Sequence, residues 1–351
     1  METPSRPMSF FMLTVLFTLS VILYYYFATF DITSTNFSVK AIQSRILLRQ
    51  TLSDSHILLT STARTPRITK PLQSAIARKR KLDINVEKNL TRLNESLQRL
   101  STPESFSYFS GYKDRKKCKK RKACPTDTPV GHYRTCALVG NGGILLKSNC
   151  GNEIDSHDYV IRMNMAALKN YEQDVGRKTN LSFINWKRIK ELGKEIASKK
   201  KKKEVLQHLT LLNGSVFSYV KLKTKDAISA LESLETILKN NSLNITVTYS
   251  RSNVPLVFTR PLRETFIPRL KSPTSGLIAY ILASRFCDVI TMYGFYPFAT
   301  DMRNRTLFYH YYDKSSVAKK RRSRHNFIIE HNFFTLLHNN GLVRLVTDIC
   351  E

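Results

Sequence analysis

A chain of 351 residues, 42% of them apolar, can bury one large core plus an appendage. Two large independent domains are excluded, because single cores stop growing at about 250 to 300 residues. Its 56 Lys and Arg against 27 Asp and Glu give a formal charge of +29, which attracts anionic partners: nucleic acid, an anionic lipid surface or acidic small substrates.

Met8 to Phe30 carries no charged side chain and is long enough to cross a bilayer core of about 30 Å. A cleaved signal peptide is the alternative, but its apolar region runs only about 7 to 15 residues and ends in a small-residue cleavage site. Tyr24, Tyr25 and Tyr26 suit an interfacial aromatic belt better. Arg6 and Glu2 before the span, with Lys40 and Arg45 after it, leave its orientation open. The N-x-S/T triplets decide it. They start at Asn36, Asn89, Asn94, Asn180, Asn213, Asn240, Asn244 and Asn304, all beyond the span, and Asn-linked glycans are added only in the secretory lumen. The 6 cysteines, none in a paired CxxC zinc knuckle, agree with an oxidising compartment. The expected plan is a type II protein tied to the membrane by its N-terminal anchor: cytoplasmic tail 1–7, transmembrane anchor 8–30, luminal stem 31–82 and luminal folded domain 83–351. No nucleic-acid partner is expected of such a domain.

The stretch from Asp31 to about Lys81, rich in Ser, Thr and scattered basic residues, reads as a tether. From Ile84 to Leu100 a helical pattern puts Ile84, Leu90, Leu93 and Leu97 near one face. The basic loop Lys113 to Cys124 follows; Cys118 and Cys124 can pair with each other, and the connectivity stays open from sequence. From Cys136 onward strands and helices alternate. Ala137 to Gly140 is a short strand ending at Asn141-Gly142-Gly143, with a helix expected from Ile144, which is how mononucleotide sites are built at strand carboxyl ends. Tyr159 to Met163 is the next strand, and Lys187 to Leu209 a helix carrying Lys199 to Lys203. A helix near Asp226 to Lys239 and a β-rich stretch at Ile245 to Tyr249 come next. After Gly276 an apolar helix (Leu277 to Phe286) leads to the strand Val289 to Tyr293 and Gly294; a helix over Asn326 to Asn339 and a strand over Leu342 to Val346 close the chain. This alternation predicts an α/β sandwich with a mainly parallel sheet.

Single motifs here are weak. GNGG is as readily a structural turn, the full G-x-G-x-x-G fingerprint is absent, and no G-x-x-x-x-G-K-[ST] loop supports an ATP-driven enzyme or a sulfotransferase. No D-x-D triplet exists to chelate a metal on a nucleotide diphosphate. Thr274, Ser275 and Gly276 precede an apolar helix, where hydroxyls and N–H groups favour an anion, although the trio can equally be a plain helix cap.

Four blocks stand in order: CALVGNGGILLKSNCG (Cys136 to Gly151), SPTSGLIAYILASRFCDVITMYGFYPF (Ser272 to Phe298), YHYYD (Tyr309 to Asp313) and HNFIIE (His325 to Glu330). Together they resemble the large, small, third and very small sialylmotifs of sialyltransferases, and the GNGGILL, YGFYPF and HYYD wording is closest to the α-2,8-sialyltransferases. The resemblance implies a single Rossmann-like α/β/α domain, a metal-independent GT-A-like variant, acting by inversion in the Golgi. CMP-sialic acid is the implied donor, with no metal or other cofactor, and a sialylated glycoprotein or glycolipid the acceptor; a homo-oligomer is compatible with it. It further implies that Asn141 and Asn164 contact the cytidine monophosphate, that Thr274, Ser275 and Gly276 lie against phosphate and carboxylate, and that Gly294, Phe295, Tyr296 and Pro297 border the nucleotide. The implied disulfides are Cys136–Cys287 and Cys150–Cys350. Tyr296 stands where close relatives commonly have Trp, and Ser-Thr-Gly appears as Thr-Ser-Gly; both swaps keep the chemical type.

Within this pattern His325 is the candidate general base and His310 the donor to the departing phosphate, since imidazole titrates near neutrality. Glu330 is placed to support the terminal helix or the base, His331 has no assigned role, and His338 reads as packing. Lys199 to Lys203 and Lys319 to Arg324 lie outside the pattern and read first as solvated faces, although the second ends beside His325 and can draw an anionic acceptor. Arg251, Arg260, Arg263, Arg269 and Lys271 occupy the region where polysialylating relatives carry a basic surface. Two alternatives stay open: linkage to galactose or N-acetylgalactosamine, and a catalytically silent glycan-binding protein on the same fold.

Overall fold

The computed structural model describes residues 108–110, 129–219, 225–250, 262–264, 266–317 and 325–350. The tail, anchor, stem, helical pattern 84–100, Cys118, Cys124, Asn36, Asn89, Asn94, Arg251, Arg260 and the tract 319–324 lie outside them. Among the described residues no helix is long and apolar enough to cross a membrane.

Among the described residues eight strands form one sheet: β1 (Tyr108–Ser110), β2 (Tyr133–Val139), β3 (Tyr159–Met163), β4 (Leu181–Ile184), β5 (Val216–Tyr219), β6 (Thr246–Ser250), β7 (Cys287–Tyr293) and β8 (Arg344–Val346). Their spatial order is β1-β6-β5-β4-β3-β2-β7-β8, and every pairing is parallel except β1 against β6. The helices are α1 (Gly151–Asp155), α2 (Glu172–Val175), α3 (Trp186–Ala197), α4 (Lys199–Leu211), α5 (Lys225–Asn240), α6 (Ser275–Ala283) and α7 (Phe327–Asn339).

Alternation along the strands sends side chains into two cores. Ala137 and Val139 of β2 join Ile189, Leu192, Leu209 and Leu234 of α3, α4 and α5. Cys136 and Leu138 join Leu277, Ile281, Phe333 and Phe334 of α6 and α7 on the opposite face. The result is the predicted α/β sandwich with a mainly parallel sheet, its central strands covered on both sides as parallel strands are. One cation is buried within it. Arg162 of β3 donates Nε to the Lys178 carbonyl at 2.9 Å and to Thr179 Oγ1 at 3.0 Å, and burial lowers its pKa to about 10.

Sheet order decides where a ligand fits. From β2 the chain runs outward through β3, β4, β5 and β6, then returns to lay β7 and β8 on the other side of β2. That reversal opens a crevice at the carboxyl ends of β2 and β7, the switch point of an open α/β sheet.

Several elements differ from the sequence reading. No α-helix starts at Ile144: a single 3-10 turn (Gly143–Leu145) ends where Lys147 and Asn149 take φ 64° and 56°. Asp174 stabilises that reversal by accepting from Lys147 N–H at 2.8 Å and Asn149 N–H at 3.0 Å. The helix expected over 187–209 is two helices, because Ser198 is extended (ψ 119°) and turns the chain between α3 and α4. β4 and β5 were not predicted; each is a four-residue run buried throughout, too short to show a period.

Disulfides join Cys136 to Cys287 and Cys150 to Cys350, closing separations of 151 and 200 residues. Closures of this length stabilise a fold by about 3 to 5 kcal/mol each in the chain-entropy account. A Cys136→Ala/Cys287→Ala variant should therefore unfold at a lower denaturant midpoint and with a steeper slope, since its unfolded chain is less compact, for a stability loss of about 3 to 5 kcal/mol read from urea titration.

Candidate active site

At the switch point the loops after β2 and β7 touch through their backbones. Gly140 N–H donates to the Tyr293 carbonyl at 2.7 Å and Gly142 N–H to the Gly294 carbonyl at 3.0 Å. A Cβ on Gly142 would lie 2.6 Å from the Gly294 oxygen, and Gly294 itself has φ +74°, so glycine at both positions is what allows this approach. Around the seam opens a cleft of about 2430 Å³, lined by Asn141, Asn164, Thr274, Ser275, Gly276, Gly294, Phe295, Tyr296, Pro297, His310, His325 and Glu330, among others. Every candidate donor-site and catalytic residue is on its wall.

The two amides are held by neighbours. Asn141 Nδ2 donates to the Met163 carbonyl at 3.3 Å and to the Tyr312 hydroxyl at 3.4 Å. Asn164, in the left-handed region at φ 61°, accepts from Asn185 N–H at 2.9 Å, and Asn185 in turn caps α3 by accepting from Arg188 N–H at 2.8 Å. Asn185 was missed in the sequence; an Asn directly before a helical run was its available signal.

Thr274 is the N-cap of α6, accepting from Leu277 N–H at 3.1 Å. It also gives its own N–H to Glu330 Oε1 at 2.8 Å and its hydroxyl to Glu330 Oε2. The capping reading therefore holds for Thr274, and the groups left for an anion are the Ser275 hydroxyl and the first N–H groups of α6. Gly276 lets Phe295 lie against the helix, since a Cβ there would meet the ring at 2.5 Å; Phe295 packs edge-on to Phe334 at 5.5 Å. Tyr296 sits edge-on to His331 at 5.6 Å, and His331 Nδ1 meets the Phe295 carbonyl at 2.9 Å, so this histidine braces the loop after β7.

In each candidate catalytic histidine Nδ1 has a partner. His325 Nδ1 donates to the Ser272 carbonyl at 3.0 Å, which fixes the tautomer and puts the basic lone pair on Nε2. His310 Nδ1 is 2.8 Å from Asp313 Oδ2, and its ring stacks on Tyr312 at 5.0 Å. Burial opposes ionisation of Asp313, but hydrogen bonds from Ser315 and His310 outweigh it and hold the carboxyl below its ordinary pKa.

Arg263, Arg269 and Lys271 line the same cleft, as do Trp186 and Arg188 at the start of α3, residues the sequence reading passed over. His338 does not pack into the core: it is exposed at the end of α7, with Nδ1 facing the Val343 carbonyl at 3.3 Å. Of the described glycosylation triplets, Asn213, Asn240, Asn244 and Asn304 are exposed. Asn180 differs, since its carboxamide accepts from Val160 N–H at 2.8 Å and its Ser182 is fully buried in β4; a glycan there would displace a sheet contact.

A switch-point crevice with glycine loops, a helix N-terminus and two oriented imidazoles defines an α/β protein suited to an anionic nucleotide-type ligand and to proton movement. The model of Glycosyltransferase family 29 (sialyltransferase) matches residues 77–342, and the chain belongs to that family. It is similar to an alpha-N-acetylneuraminide alpha-2,8-sialyltransferase of Xenopus tropicalis, 29% identical over 236 residues, which is 66% of this chain and 66% of the relative, just under two thirds. A crystal structure of a mammalian sialyltransferase aligns at 22% identity and TM-score 0.41, covering 62% of this chain and 70% of that one. Another, in complex with Gal-beta-1-3GalNAc-ortho-nitrophenol, aligns at 19% identity and TM-score 0.43, covering 75% and 86%.

Glu330 adds a pH signature. It is 3% exposed, and burial, only partly offset by the two Thr274 hydrogen bonds, raises its pKa from 4.5 to about 7. Below about 4.5 the carboxyl is neutral folded or unfolded; between there and about 7 the folded state holds the extra proton, so stability falls as pH rises through that window. Glutamine mimics the neutral acid, with its oxygen accepting from Thr274 N–H and its amide donating to Thr274 Oγ1 once that hydroxyl turns from donor to acceptor. Glu330→Gln should gain melting temperature relative to the parent from pH 5 to pH 8, and parallel melting curves across that range would contradict the assignment.

Proposed function

We propose that the chain is an inverting sialyltransferase of the Golgi lumen that moves sialic acid from CMP-sialic acid to a terminal sialic acid on a glycoprotein or glycolipid, forming an α-2,8 bond. The observation that carries this reading is the single cleft lined by Asn141, Asn164, the α6 N-terminus, His310 and His325. Family membership and the Xenopus relative support it, the second suggesting the linkage. The luminal setting rests on the apolar run 8–30 and the N-x-S/T triplets.

In this reading the amides of Asn141 and Asn164 take the cytidine monophosphate, while the Ser275 hydroxyl and the first N–H groups of α6 take the phosphate and sugar carboxylate. The acceptor hydroxyl oxygen attacks carbon 2 of the sialic acid as the bond from that carbon to the phosphate oxygen breaks. Its proton passes to His325 Nε2, and CMP leaves. His310, held by Asp313, donates to the departing phosphate and offsets its growing charge. Lack of a D-x-D triplet is consistent with a donor of one phosphate that needs no divalent cation.

His325→Ala should keep CMP affinity by calorimetry yet lose about 100-fold or more in kcat, the usual worth of a positioned base. His310→Ala should lower kcat with acceptor KM little changed. CMP release from CMP-sialic acid on adding a sialylated acceptor should persist after chelator treatment. Near-normal turnover of His325→Ala, or a requirement for manganese, would overturn the mechanism. A protein that binds CMP and sialylated glycan but never releases CMP would be the silent glycan binder.

A further inference from the structure

The α3 wall of the cleft has no task in the mechanism above. It begins with Trp186, the one tryptophan of the chain, which is 43% exposed and lines the cleft. Lone exposed apolar residues are ordinary on a surface, but this one is placed and braced. Asn185 before it donates its N–H to Asn164 at 2.9 Å, so the indole leaves the chain next to a donor-site amide. Lys190 Nζ lies over the ring at 5.1 Å from its centroid, and Lys190 is itself 2.8 Å from Asp226.

Arg188 follows two residues later and also lines the cleft. Its Nη2 donates to Glu195 at 2.9 Å, with the side chains 19% and 27% exposed. Among the described residues no acceptor meets its Nε or Nη1. Tyr312 lines the same cleft, accepts from Asn141 at 3.4 Å and stacks on His310 at 5.0 Å. The Nε2 of His208, also on the cleft wall, is buried with no hydrogen-bond partner.

An indole face offers a flat apolar surface to the C–H face of a pyranose, and a guanidinium with unused donors matches a carboxylate. We propose that Trp186 and Arg188 form the acceptor subsite, taking a carboxylate-bearing terminal sugar: Trp186 packs against its ring, Arg188 pairs with its carboxylate, and its hydroxyl is presented to the part of the cleft that His325 lines. The proposal rests on the transferase reading for the last step and on the wall itself for binding.

Because Trp186 is the sole tryptophan, its fluorescence reads the subsite without turnover. In the whole chain saturated with CMP, sialyllactose should shift indole emission saturably and lactose should not. The same shift should appear in His325→Ala. An emission that stays flat while the parent turns over sialyllactose would overturn the subsite. A shift without any CMP release would leave the subsite standing and sink the transferase reading, so the two failures are distinguishable.

Kinetics give the second arm. Trp186→Ala should raise sialyllactose KM by about tenfold, with Trp186→Phe recovering most of it. Arg188→Ala should raise it by about 10- to 100-fold, the worth of a charged hydrogen bond, with Arg188→Lys recovering part. Arg188→Ala/Glu195→Ala should behave as Arg188→Ala does, which removes repulsion from a stranded Glu195 as the cause. Unchanged KM in these variants, or CMP affinity that falls in step with KM, would overturn the assignment, the latter by moving Arg188 to the donor phosphate.

Discussion

The seam between β2 and β7 is the constraint on which the rest of the site depends. These strands are far apart in sequence yet parallel neighbours, tied by Cys136–Cys287 from the middle of β2 to the start of β7 and drawn together at their carboxyl ends by Gly140, Gly142 and Gly294. The disulfide limits how far the strands can part in the unfolded chain, and the glycines let two backbones approach where any side chain would collide. Both act on one line of the sheet, the line where its winding reverses.

From that seam the chemistry is arranged by helix ends rather than by strands. Thr274 starts α6 and Glu330 lies in the first turn of α7, and the hydrogen bonds between them fix one helix terminus against the other. His325, just ahead of α7, is tied to the Ser272 carbonyl just ahead of α6, so the same junction sets the proposed base beside the proposed anion site. Glu330 thus acts on the base indirectly, by holding the two segments together.

Charge is distributed to the same end. Ionised Asp313 leans on His310, Arg188 leans on Glu195, and Arg263, Arg269 and Lys271 stand on the cleft wall. A net charge of +29 draws anions to the whole surface, but only where cations line an apolar, partly closed wall can they sort one anion from another. The five lysines that open α4 show the contrast: they are exposed, at a helix amino end where acidic residues would be favoured, and they remain the solvated face that their sequence suggested.

Much of this was legible in the linear chain. Hydrophobic alternation announced the α/β sandwich, and the four blocks carried the family, because a site for a charged donor needs particular residue types that chance seldom places in order. What stayed hidden was short or relational. β4 and β5 are too brief to show a period, and Ser198 breaks a helix with no glycine or proline to mark it. Trp186 and Arg188 gained meaning only when Asn185 bonded to Asn164 and brought α3 to the donor amides. The sequence by itself determined the elements, the histidines and the glycines, since those follow from local side-chain chemistry. Only the tertiary structure decided which strand lies beside which, which nitrogen of each imidazole is committed and which wall faces the cleft, because these depend on contacts that linear order does not display, from Cys136 with Cys287 and Gly142 with Gly294 to His325 with Ser272 and Asn185 with Asn164.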